Sequence, residues 1–162
     1  GAEVIVCEGR DALLNEIRRL HPDLNVKKID NDTDWIGQFK ENQFDLAIHW
    51  GLLYHLDNWE RDLKNTLKIS KLVSLESEVL TSDNNQDVVK SVEYGADQAL
   101  HSVGSYCTAT AIEKIFESNQ VSYHRYDTKK LNSHPYIYDW MPLDETKKSD
   151  GYRRFWIVNK DC

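Results

Sequence analysis

The sequence predicts an α/β fold built on a mostly parallel sheet. Short apolar runs alternate with helix-period segments as far as position 120, the order that lays parallel strands beside crossover helices. The opening run, Val4-Ile5-Val6-Cys7, is continuously apolar rather than alternating, as expected of a strand covered on both faces. Beyond position 120 two strand-like runs follow each other, which predicts one antiparallel edge strand near the carboxyl terminus.

The elements follow in order. After the first strand, Asp11 is placed to cap a helix whose apolar positions Leu13, Leu14, Ile17 and Leu20 keep helical spacing, with Pro22 closing it. A weaker strand, Val26 to Ile29, leads into the polar loop Asp30-Asn31-Asp32-Thr33-Asp34. Phe44 to His49 is the next strand. A turn at Gly51 then leads to Asp57, which with Glu60 three residues on predicts a helix start. Trp59, Leu63 and Leu67 recur every four residues and give that helix one apolar face. Lys71 to Glu76 is another strand. From Leu80 to Tyr106 the chain is polar and poorly periodic, and a loop of that length points to function or disorder. Thr110 with Glu113 opens a further helix with Ala111, Ile112, Ile115 and Phe116 on one side. Val121 to Tyr126 and Arg154 to Val158 are the closing strands.

A chain of 162 residues, 40% hydrophobic and 29% charged, is long enough for one α/β domain that buries roughly 70% of its unfolded surface. No apolar run reaches the ~20 residues of a membrane span, and the start lacks the pattern of a signal peptide. A net charge of -7 without a basic stripe argues against a nucleic-acid partner, because phosphate binding depends on Lys and Arg. A small-molecule partner suits that balance better. The cysteines Cys7, Cys107 and Cys162 have no Cys-x-x-Cys spacing, and Cys7 reads as a buried small hydrophobe. No disulfide framework is expected, which places the protein in a reducing cytoplasm. No metal site is expected either, since the six histidines and three cysteines show no close ligand pairing.

Ligands of open α/β sheets bind beyond the carboxyl ends of the strands. Glu8 ends the first strand and Gly9 follows. A carboxylate there can accept both hydroxyl protons of a ribose, and glycine lets the backbone turn close to a ligand. An isolated Glu-Gly is equally an ordinary acidic turn. Asp30, Asn31 and Asp32 after the second strand can bond the exocyclic amine of an adenine, although acidic loops are common.

The segment at the third strand end, FDLAIHWGLLYHL, is the most specific in the chain. It resembles the class I, Rossmann-like S-adenosylmethionine-dependent methyltransferases, many of which carry a Phe-Asp-hydrophobic strand, a glycine turn and a Leu-Tyr-His-Leu stretch. KLVSLESEVL resembles that family's following strand and RRFWIVNK its last. The resemblance implies that Glu8 and Gly9 hold the cofactor ribose, that Asp30 and Asn31 border the adenine, and that His49 and Trp50 line the cofactor beside the methyl-donor sulfur. Tyr54 and His55 would face the acceptor. The polar segment adds Asp97, Gln98, His101 and Tyr106 to the acceptor side, and the later aromatic stretch adds His134, Tyr136 and Asp139.

The family opens with a central strand and a glycine-rich loop that approaches the methionine part of the cofactor. The seven glycines here include no such cluster. The chain is therefore expected to lack the central strand, as a fragment or a minimal variant, and to bind S-adenosylmethionine weakly. The flanking strands would then pair directly, or a second copy would cover their edges in a homodimer. The domain expected is a single methyltransferase-like unit over 1–162 with an acceptor-side insertion around 81–106.

Methyl transfer is an in-line displacement that depends on positioning. Where the acceptor keeps its proton, His55 or His49 can serve as base. The rival reading is a non-catalytic interaction module that keeps the fold and has lost the cofactor. A dehydrogenase would need a glycine fingerprint that is absent.

Overall fold

The computed structural model describes residues 1–80, 87–96, 98–126, 128–131 and 153–160. Strand β1 (Ile5–Glu8) and strand β2 (Asn25–Lys28) pair in parallel, from Ile5 opposite Asn25 to Glu8 opposite Lys28. Helix α1 (Asp11–Leu20) crosses between them. Asp11 is its first residue rather than its cap. The cap position is Arg10, whose backbone N–H donates to Glu8 Oε1 at 2.6 Å. Only Leu14 of the apolar stripe is buried, because a two-stranded ribbon is too narrow to cover the rest.

The second sheet is larger. Strand β3 (Phe44–Trp50) runs parallel to β4 (Ser70–Leu80), in register from Phe44 opposite Ser70 to Trp50 opposite Glu76. Helix α2 (Trp59–Ile69) makes the crossover, with the predicted Trp59, Leu63 and Leu67 face buried. Its cap is Asn58 rather than Asp57, and the Asn58 N–H donates to Asp32 Oδ1 at 2.7 Å.

The supposed loop at 80–106 is partly strand. β4 continues to Leu80, and β5 (Val88–Val92) and β6 (Val103–Thr108) form an antiparallel pair. The end of β6 also pairs in parallel with the end of β4, at Val79 to Cys107 and Leu80 to Thr108. Helix α3 (Ala109–Ser118) follows, and its cap lies two residues before the expected one: the Thr108 hydroxyl accepts the Ala111 N–H. The antiparallel strand expected near the end is β8 (Arg153–Asn159). It lies between β4 and β7 (Ser122–Tyr126), so β7 forms the edge. Leu63, Leu75, Ile112, Phe116 and Trp156 are fully buried where α2 and α3 pack on this sheet.

β1 and β3 are not hydrogen-bonded to each other, and no described strand lies between them. The direct pairing that the sequence allowed does not occur. Ile48 and Trp50 on β3 are 63% and 55% exposed, while Ala47 and His49 point to the α2 side, as strand alternation requires. The open edge corrects one expectation. Cys7 is exposed rather than buried, because β1 is covered on one side only by its pairing with β2. No described helix is long and apolar enough to cross a membrane.

Candidate functional site

The site is built where β3 and β4 end. Gly51 adopts φ +65°, a left-handed conformation that costs a side-chain-bearing residue. Its N–H donates to the Glu76 carboxylate at 2.8 Å. The chain then makes a tight turn at Leu53–His55, with Leu53 and Tyr54 buried. Because β8 runs antiparallel to β4, its first residue, Arg153, arrives at the same end of the sheet. The Arg153 guanidinium lies 4.9 Å over the Tyr54 ring and reaches Glu76 at 3.0 Å and Glu78 at 3.7 Å. Burial raises the Glu78 carboxyl above its ordinary range, against the opposing pull of Arg153.

Glu93, just beyond β5, sits at the centre of this cluster and is only 4% exposed. Its carboxylate meets His55 Nδ1 at 2.6 Å, the Tyr106 hydroxyl at 2.9 Å and the Ala99 N–H at 2.8 Å. An ionised carboxylate only accepts, so Nδ1 carries the proton and Nε2 of a neutral His55 is left with its lone pair. Burial, and then Glu93, push the Tyr106 hydroxyl well above its usual range, so it remains a donor. Gly104 makes the close packing feasible. A Cβ there would stand 2.4 Å from Glu93 Oε1 and 2.5 Å from the Tyr54 carbonyl oxygen. The sequence singled out Tyr54, His55 and Tyr106 but missed Glu93, Glu76 and Arg153. Nothing in local spacing joins residues from three separate strand ends. The only local cue was an acidic residue placed directly after the valine-rich run Val88 to Val92.

The residues assigned to the cofactor are arranged differently from the expectation. His49 and Trp50, expected to line one surface, lie on opposite faces because successive strand residues alternate. His49 is 6% exposed, and its Nε2 meets Asp62 Oδ2 at 2.6 Å. Asp62, fully buried on α2, also accepts from Trp35 Nε1 at 2.9 Å and Asn31 Nδ2 at 2.6 Å. Asn31 therefore turns into this network rather than outward. Trp50 donates to Ser74 Oγ at 3.0 Å and lies beside Phe155 on the open face. Asp30 accepts from the Asp32 N–H at 3.0 Å and meets His101 Nε2 at 2.7 Å. His101, expected on the acceptor side, is thus held at the end of β2. The tight approach at Gly9 is to protein: a Cβ there would lie 3.1 Å from Leu100 Cδ2 and 3.2 Å from the Ile29 carbonyl oxygen. Glu8 stands at the carboxyl end of β1, and its Oε1 accepts the Arg10 N–H. Asp97, His134, Tyr136 and Asp139 lie outside the described residues.

This arrangement of strands and helices is the Rossmann-like fold of S-adenosylmethionine-dependent methyltransferases. No family model matches the chain, and no curated protein matches it. Solved structures do. The N-terminal domain of EvdMO1 with S-adenosylhomocysteine bound aligns with 98% of this chain at TM-score 0.68 and 15% identity. This chain spans 65% of that one. An S-adenosylmethionine-dependent methyltransferase from Mesorhizobium loti aligns over 99% of this chain and 82% of its own at TM-score 0.66 and 12% identity. The cyclase SpnF aligns over 98% of this chain and 66% of its own, at TM-score 0.62 and 11% identity. At these identities the likeness is one of fold, and the cyclase among the neighbours means that fold alone does not name a reaction.

Proposed function

We propose that the chain is a single methyltransferase-like domain that transfers a methyl group to a small-molecule acceptor, with residues 81–106 on the acceptor side and His55 as the base. The observation that supports this most is the His55–Glu93 pair at 2.6 Å, at the end of the sheet where open α/β folds take their ligands. Glu93 holds the ring with the Nδ1 proton inward, which frees Nε2 to receive the acceptor's proton and stabilises the imidazolium that results. Tyr54 and Tyr106 pack against this ring system, with Tyr54 4.1 Å from the His55 ring.

Glu8 at the carboxyl end of β1 fits the ribose of S-adenosylmethionine. Glu8 has one oxygen engaged by the Arg10 N–H, and a carboxylate has further acceptor capacity for a ribose diol. Nothing among the described residues supplies a glycine loop for the methionine half, which is why we expect weak cofactor binding. When bound, the cofactor would supply an electrophilic methyl group, with a neutral thioether as the leaving group. The acceptor's proton passes to His55. His49 is too deeply buried against Asp62 to share that role.

Incubation with methyl-labelled S-adenosylmethionine and a panel of hydroxyl, phenol and amine acceptors tests the proposal. Label transfer that is lost in His55→Ala is the expected result. The open edge of β3 favours a second reading, an interaction module, and absence of both transfer and cofactor binding would support it.

A further inference from the structure

We infer that Asp30, Asp32 and His101 form a binding site for a divalent transition-metal ion of the zinc type. The three residues come from separate places: the two aspartates from the loop after β2, the histidine from the connection between β5 and β6. One carboxylate oxygen of each aspartate and one ring nitrogen of His101 lie within 4.8 Å of one another. Two ligands ~2.1 Å from one ion stand at most about 4.2 Å apart, so small side-chain rotations close the set. His101, with a side chain 52% exposed, has the freedom to make them.

The second observation concerns Asp32. The residue is 7% exposed, its Oδ1 accepts the Asn58 N–H, and its Oδ2 is buried with no hydrogen-bond partner among the described residues. A buried carboxylate oxygen without a donor is costly, and a cation removes that cost. The nearest guanidinium does not supply one, because Arg61 Nη2 donates to the backbone oxygen of Asp32 rather than to its carboxylate. Among the described residues, Asp30 Oδ2 is met only by His101. Binding would replace the hydrogen bond between His101 Nε2 and Asp30 with the ion, the neutral ring carrying its one proton on Nδ1.

The donor set selects the ion. Two carboxylates and one imidazole suit a borderline metal such as Zn²⁺, whereas Mg²⁺ and Ca²⁺ take oxygen ligands. Three protein ligands leave a fourth position for water, as in open zinc sites. The ion would pin the β5–β6 connection to the end of β2. Asp30 is also the residue that the resemblance places at the adenine, so the test reads cofactor binding beside zinc binding.

The test is calorimetric titration of ZnCl₂ into the whole chain, with MgCl₂ as comparator and thermal melts alongside. Wild type is expected to bind one zinc ion and to melt higher with zinc, by mass action. His101→Ala and Asp32→Asn, an exposed and an isosteric change, are each expected to weaken binding at least about tenfold and to remove the shift in melting temperature. Zinc binding unchanged in both variants, or no stronger than magnesium in wild type, overturns the inference. So does an Asp32→Asn chain that keeps zinc but loses S-adenosylhomocysteine, since the free oxygen would then serve the cofactor's amine.

Discussion

His55 and Glu93 meet at 2.6 Å, Nδ1 to Oε2, with the glutamate buried and the histidine ring at the mouth of the sheet. The pair joins the turn after β3 to the segment after β5, so on the proposed function that segment holds the base in place. In nitrogen-resolved NMR, the neutral His55 ring should carry its proton on Nδ1. Glu93→Gln should shift that tautomer balance and lower label transfer by roughly 10²-fold, with S-adenosylhomocysteine affinity unchanged. Equal turnover in the variant would remove Glu93 from the mechanism.

Gly104 is required by contact rather than by backbone angle. Adding a methyl group at a place where Glu93 and the Tyr54 carbonyl oxygen already stand within 2.5 Å of the Cβ position is overpacking. Gly104→Ala should destabilise the fold by about 1–3 kcal/mol and weaken the His55–Glu93 bond at the same time. Chemical denaturation measures the first effect, and the same NMR signals report the second.

Asp62 receives three side-chain donors with no solvent contact. Asp62→Ala leaves those donors buried without an acceptor, at a cost of about 3 kcal/mol or more. A melting temperature within a degree of wild type would show that the network does not tie the β2 loop to α2 and β3.

Glu78 makes stability depend on pH. Its folded carboxyl is raised above the ordinary 4.5, so the folded state holds its proton to higher pH than the unfolded chain does. The contribution is fully present below 4.5 and is lost as pH rises through the folded value. At pH 7 Glu78→Gln should therefore melt higher than wild type, by about 1–3 °C. The gap should narrow as pH falls towards 4.5. A variant that melts lower at pH 7 would mean that the Arg153 pairing outweighs burial.

Much of the fold was legible because it rests on periodicity. Trp59, Leu63 and Leu67 marked the buried face of α2, and the FDLAIH run marked β3 to within a residue. The 80–106 stretch was misread because β5 (VVKSV) and β6 (VGSYCT) mix polar and apolar residues without clean alternation. Tyr54 and His55 were singled out by the family resemblance and Tyr106 as a residue of the polar segment, and the structure places the three rings together. Glu93 and Arg153 were not, since the register that brings them to one end of the sheet depends on long-range pairing. Adjacent numbers also misled: His49 and Trp50 look like one motif, yet the strand sends them to opposite faces.

Calorimetric titration of S-adenosylhomocysteine into this chain, with Glu8→Ala alongside, tests the central claim most directly. The account predicts measurable though weak binding, reduced at least about tenfold in the variant by loss of the ribose contacts. Binding that is unaffected by Glu8→Ala, or no binding at all, would contradict the cofactor site placed at the end of β1.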